Sequence, residues 1–130
     1  MRPNPIQPTN QLTFQYSHPL KTAYRKGLLP KDLKGLYKVK LTQKNVSLEH
    51  GIPASLGGPT TYNNLFLADK VKNRERGIKP LLEVVTKEDI AEYLAQFIDV
   101  KNRFIDGIKY IKGICSRFDV DIREVFKRRK

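Results

Sequence analysis

Glu49 and His50 stand side by side, Asn64 follows the histidine at a distance of fourteen residues, and Asn73 lies nine residues further on. A histidine titrates near ~6.5 when unperturbed, so a neutral imidazole at position 50 can take a proton from water at cellular pH. The carboxylate of Glu49 and the carboxamide of Asn73 offer hard oxygen donors, the kind that suit Mg²⁺ or Mn²⁺ while the ion keeps part of its water shell. Such a set could activate water against a charged substrate. Adjacent residues on a strand point to opposite faces. Glu49 and His50 can therefore address one substrate only if their strand ends and bends there, and Gly51 with Pro53 supplies such an end.

The elements that must position these groups read as strand, loop, strand, helix. Val46 to Glu49 is a short β-favouring run, and the segment after His50 carries Pro53, Ser55 and the pair Gly57-Gly58. Asn64-Leu65-Phe66-Leu67 is a compact apolar strand candidate. Ala68 to Arg76 is a polar helix that carries Asn73 and stops at Gly77. An amide at the start of the second strand can hydrogen-bond across the hairpin and hold the histidine-bearing loop, so Asn64 is assigned an orienting role.

The ordered set Glu-His-x-x-Pro-x-Ser-x-Gly-Gly, then Asn-Leu, then Asn-x-x-Arg-Gly resembles the HNH nuclease motif over about 32 of the 130 residues. The third letter here is Asn73 and not His, the HNN variant of that family. The resemblance implies a small ββα-metal unit that hydrolyses a phosphodiester with one divalent ion, Mg²⁺ or Mn²⁺. His50 would then be the general base, Glu49 and Asn73 the metal ligands and Asn64 the orienting residue. That reaction needs a nucleophilic water, charge neutralisation on the phosphoryl oxygens and help for the leaving 3′-oxygen. The same resemblance associates small stand-alone proteins of this kind with phages, mobile elements or defence systems.

Length and charge agree with one domain acting on a polyanion. A chain of 130 residues with 39% hydrophobic and 29% charged residues reads as a single α+β domain. No run approaches the ~20 apolar residues of a membrane span, and the first residues lack the apolar stretch of a signal peptide, so a cytoplasmic protein without a membrane partner is expected. The single cysteine, Cys115, excludes an internal disulfide and a Cys-x-x-Cys zinc knuckle, so no structural zinc is expected. The net charge is +12, and residues 1–45 contribute +8 of it, with nine Lys/Arg against the one acid Asp32. Double-stranded DNA is the expected partner, held through Lys21, Arg25 and Lys26 of this basic extension and through Lys72, Arg74 and Arg76 of the motif helix.

Three sections are expected: a basic N-terminal extension over 1–45, the motif over 46–80 and C-terminal helices over 81–130. Residues 1–16, with Pro3, Pro5 and Pro8, read as an extended arm. Ser17 is predicted to cap a helix from Pro19 to Lys26, with His18 structural or exposed at its start. Pro30 to Lys34 reads as a helical turn and Leu36 to Leu41 as a strand whose Lys38 and Lys40 share a wet face. Thr86 to Lys112 has helical apolar spacing, as one helix or two broken near Gly107, with a capping box at Thr86 and Asp89. That stripe is predicted to be core, or else a homodimer interface. Asp119 to Asp121 reads as a turn before a last short helix. This pair of helices also invites a helix-turn-helix reading, against which stand the missing turn glycine and the shortness of the second helix. Two rival functions accompany the nuclease acting on DNA: an RNA- or structure-directed nuclease on the same site, and an inactive module that binds nucleic acid or protein.

Overall fold

Leu65 to Ala68 is an uninterrupted apolar run, and the chain is built around it. Leu65–Asp69 (β2) pairs antiparallel with Val46–His50 (β1), with Val46 opposite Asp69 and His50 opposite Leu65. The computed structural model describes residues 18–129. Among them lie this two-stranded sheet and five α-helices: α1 (Pro19–Arg25), α2 (Lys70–Arg76), α3 (Lys87–Ala95), α4 (Gly107–Phe118) and α5 (Ile122–Phe126). The chain is thus a small α+β protein, and none of these helices is long and apolar enough to cross a membrane.

A two-stranded ribbon is marginal in water by itself, so the helices must cover it. Phe66, Tyr93, Phe97, Tyr110, Ile111 and Ile114 form the centre of one continuous core, and their rings meet edge-on or tilted at centroid distances of 5.0 to 6.4 Å. The open edge of β2 also needs partners, because unpaired strand groups inside a core are costly. The Leu67 amide donates to the Tyr93 hydroxyl (2.9 Å), the Tyr110 hydroxyl donates to the Leu65 carbonyl (2.7 Å), and the Leu36 amide donates to the Leu67 carbonyl (2.9 Å). Two buried tyrosines and one loop therefore take the place of a third strand. Burial raises the pKa of both phenols, which stay protonated.

Several sequence expectations are corrected. The cap of α1 is His18 and not Ser17: its Nδ1 accepts the Leu20 amide at 3.1 Å, with Pro19 in the first turn. The predicted extended arm, 1–16, lies outside the described residues. Pro30 to Lys34 is a turn without helix, and the segment predicted as a strand, Leu36 to Leu41, is a tight loop in which Lys38 has φ +69°. Its alternating pattern reflects Leu36 and Leu41 plugging the core from a loop. Lys38 and Lys40 share no face, since Lys38 pairs with Asp89 at 2.8 Å and Lys40 with Asp32 at 3.1 Å. Ala68 and Asp69 end β2 and do not begin the helix. The Asp69 carboxylate instead caps α2 by accepting the Val71 and Lys72 amides.

In the C-terminal section the predicted helical stripe is split: Ile90 and Leu94 lie on α3, Ile108 and Ile111 on α4, and Phe97, Ile98, Phe104 and Ile105 in the segment between these helices. Residues 96–106 between them are non-helical, Thr86 and Asp89 form the expected capping box, and Asp106 caps α4. Ile90, Leu94, Phe97, Ile98, Ile105 and Ile111 are buried within the chain. The apolar surface on which a dimer expectation rests is used internally. Asp119, at φ +57°, turns the chain into α5, which Asp121 caps; α5 has five residues and packs mainly against α3, too short for a recognition helix.

Candidate functional site

His50 and Asn64 lie at the end of β1, while Glu49 faces away from His50 and Asn73 bonds Ser47 and Leu48 within the strand. Asn64 is 0% exposed. Its Oδ1 accepts the Ile52 amide at 2.8 Å, its Nδ2 donates to the carbonyls of Ile52 and Pro59, each at 3.0 Å, and its own carbonyl accepts the Gly51 amide at 2.7 Å. One side chain thus ties both ends of the loop that follows His50. Glycine is required at two points of that loop. A Cβ on Gly58 would meet the Ile52 carbonyl oxygen at 1.8 Å, and one on Gly51 would meet the Phe118 ring at 2.1 Å.

His50 is the last residue of β1 and is half-buried. Its Nε2 lies 3.0 Å from Thr60 Oγ1, and the tautomer sets the roles of the two atoms. With the proton on Nε2, the ring donates to Thr60 and Nδ1 is left to accept a proton from water. With the proton on Nδ1, the acceptor nitrogen is the one that Thr60 covers. Only the first state presents a base, and the Thr60 hydroxyl, which can accept from the ring or donate to it, is compatible with both. Burial lowers the His50 pKa below its ordinary value, which favours the neutral ring.

Glu49 faces the other way, as strand alternation requires. It is 4% exposed; Oε2 accepts from the Tyr37 hydroxyl at 2.5 Å and Oε1 lies 3.3 Å from Arg76 Nη1. Burial outweighs these two partners and pushes the carboxyl above the usual range. No contact joins the carboxylate to the His50 ring. Asn73 reaches β1 from α2, its Nδ2 donating to the Leu48 carbonyl at 2.9 Å and to Ser47 Oγ at 3.2 Å.

Arg76 departs from the phosphate-gripping role expected of it. It is 4% exposed, and its guanidinium donates to the carbonyls of Lys79 (Nε, 2.8 Å), His50 (Nη1, 2.6 Å) and Gly51 (Nη2, 2.7 Å) besides pairing with Glu49. A planar five-donor group is suited to such a clamp, and here it pins the bend that ends β1. The other expected phosphate contacts divide. Lys72 pairs with Glu75 at 3.7 Å, Arg74 is exposed, and on α1 Lys21 is half-buried while Arg25 and Lys26 are exposed. Thr60, Tyr37 and His18 were not assigned to the site from sequence. His18 stacks edge-on against Tyr62 with ring centroids 4.6 Å apart, two residues from both Thr60 and Asn64. Its pKa is lowered by burial and then by the charge of His50. No sequence signal marks Tyr37 or Thr60 for this position.

Glu49 and Asn73 offer oxygen donors of the kind a hard divalent ion takes, although no three His, Cys, Asp or Glu side chains gather as a metal-holding group among the described residues. A carboxylate has about four lone-pair sites, of which Tyr37 and Arg76 take two on Glu49. The hydrogen bonds of Asn73 use its nitrogen, and its Oδ1 has no partner among the described residues. A surface cleft of about 410 Å³ is lined by Tyr37 and Arg76, the two partners of Glu49, and by Lys72, and does not include Glu49, His50, Asn64 or Asn73. No family model, curated protein or solved structure matches the chain.

Proposed function

We propose that this chain is a metal-dependent endonuclease of the HNH type that hydrolyses phosphodiester bonds in DNA. The observation that carries the reading is the hairpin-and-helix unit itself: His50 at the bend that ends β1, Asn64 tying the loop across the hairpin, and Asn73 delivered to β1 by the helix that follows β2. His50 takes the proton from the attacking water through Nδ1 in the tautomer whose Nε2–H is donated to Thr60, and Asn64 and Arg76 hold the backbone that follows the ring, from the His50 carbonyl to Ile52. Glu49 and Asn73 are the residues that would hold Mg²⁺ or Mn²⁺. Bound there, such an ion would neutralise phosphoryl charge and stabilise the leaving oxygen.

The pairing of Glu49 with Arg76 favours a second reading, a non-catalytic nucleic-acid-binding module in which the carboxylate serves the fold. Cleavage separates the two. Wild type and His50→Ala are incubated with supercoiled plasmid, single-stranded DNA and structured RNA in Mg²⁺, Mn²⁺ or EDTA. The nuclease reading expects metal-dependent products that fall by ~10²–10⁴ in His50→Ala with its circular dichroism unchanged. A folded His50→Ala protein that cuts at the wild-type rate defeats this mechanism, and a wild type that cuts none of the substrates leaves the binding module.

A further inference from the structure

In the C-terminal section Lys87, Lys101, Arg123, Lys127, Arg128 and Arg129 each have an acid partner within 4.0 Å, while Arg103, Lys109, Lys112 and Arg117 have none among the described residues. Around α1 every member of one group is unpaired: Lys21, Arg25, Lys26, Lys44 and Lys70 have no ion pair among the described residues. The nearby acids are engaged elsewhere, Asp69 on the α2 amides and Asp32 on Lys40.

These five cations come from three elements that the fold locks together. Arg25 Nη1 donates to the Gln43 side chain at 3.3 Å, and the Gln43 amide reaches back to the Arg25 carbonyl at 3.5 Å. The Lys70 amide, at the start of α2, donates to the Asn45 carbonyl at 2.7 Å. The turn at residues 42–45, which carries Lys44, therefore joins the end of α1 to the start of α2. Lys21 is close enough to Arg25 and Lys70 that, after burial, their charges lower its pKa further. At its other end α1 begins with His18, whose ring rests on Tyr62 in the stretch that also carries Thr60, the partner of His50.

We propose that this ridge is a track for a nucleic-acid backbone, running from the neighbourhood of His50 along α1 to the 42–45 turn, with phosphates on Lys21 and Lys70 and then on Arg25, Lys26 and Lys44. It rests on the nuclease reading and adds the path of the substrate, which keeps the expected contacts on α1, moves the α2 contact from Lys72, Arg74 and Arg76 to Lys70, and adds Lys44. Seven helical residues at 1.5 Å each span roughly 10 Å, which covers about three phosphates of one strand at ~3.4 Å along a duplex axis. Like charges held together without acids cost stability, and a polyanion removes that cost by releasing its counterions.

The test uses full-length His50→Ala protein in EDTA, where turnover is not expected, titrated with a short fluorescent duplex and the corresponding single strand between about 50 and 200 mM salt. Lys21→Gln with Lys70→Gln is expected to reduce the slope of log K against log salt on the duplex by roughly 2, at about 0.9 per lost phosphate contact. Lys101→Gln with Lys127→Gln changes the net charge equally and is expected to leave the slope unaltered. In protein that retains His50, the Lys21/Lys70 pair is expected to raise KM severalfold with kcat kept. Equal slopes for the two pairs, or no binding of either nucleic acid at the lowest salt, overturn the track. Slopes that separate as expected in a protein whose wild type cuts nothing overturn the nuclease reading and leave the track standing.

Discussion

The hairpin-and-helix unit and the C-terminal helices are stabilised in opposite ways. The three buried polar or charged residues among those described, Glu49, Asn64 and Arg76, all lie between residues 46 and 77. The section from Leu81 onward buries Leu, Ile, Val, Phe, Ala and Cys115, and the hydroxyls of its two buried tyrosines finish the edge of β2. Burying a charge is unfavourable unless it is paired, so the polar unit depends on complete partner sets and the apolar section on volume. The helices thus act as a wall against which a short ribbon can hold polar groups in fixed geometry.

Removing Arg76 is the most severe way to break that contrast. Arg76→Met leaves the Glu49 carboxylate buried with only Tyr37 and frees the carbonyls of His50, Gly51 and Lys79. A loss of about 3–5 kcal/mol is expected, the usual result of orphaning a buried charge, measured by urea denaturation. Arg76→Met combined with Glu49→Gln should recover part of it. If the single variant unfolds at the wild-type midpoint, the pair contributes nothing to the fold.

Asn64→Ala comes next. It orphans the Ile52 amide and two carbonyls in a loop whose other side-chain tie is the contact of His50 with Thr60, so about 1–3 kcal/mol should be lost, together with cleavage that is slow at every Mn²⁺ concentration. Glu49→Ala and Asn73→Ala should differ from it, because added Mn²⁺ restores part of their rate. A common response to Mn²⁺ in all three would erase the distinction between orienting residue and ligand.

The smallest expected effect concerns pH. Burial lowers the His50 pKa, and the base acts when neutral, so single-turnover cleavage should fall as pH drops through a midpoint below 6.5 and be level above neutrality. A midpoint above 6.5 would mean that the ring is held as a cation, opposite to its surroundings here. Neutralising Lys101, which is exposed and paired with Asp106, should change neither midpoint nor rate, because exposed pairs contribute little.

The stretch from Val46 to Gly77 was legible because its geometry is local. Strand, loop, strand and helix follow one another within 32 residues, and Asn64 reaches its partners at Ile52 and Pro59 across twelve residues or fewer. Leu36 to Leu41 was misread for the complementary reason. Alternating apolar and basic residues satisfy a strand, but they also satisfy a loop whose leucines enter a core from one side, and the choice belongs to β2, whose edge takes the Leu36 amide.

The sequence by itself determined the apolar run of β2, the capping of α3 by Thr86 and Asp89, the turn before α5 and the order of residues around His50, since each depends on neighbours within a few turns of chain. The tertiary structure decided which charges are available. Arg76 and Lys72 have the same formal charge and lie four residues apart, yet Arg76 is buried against Glu49 and three carbonyls while Lys72 remains half-exposed beside Glu75. Lys21 and Lys70, far apart in the chain, meet because the 42–45 turn joins their helices. Charge is a property of the residue, but whether it meets an acid, a carbonyl or solvent depends on packing between segments that no local pattern encodes.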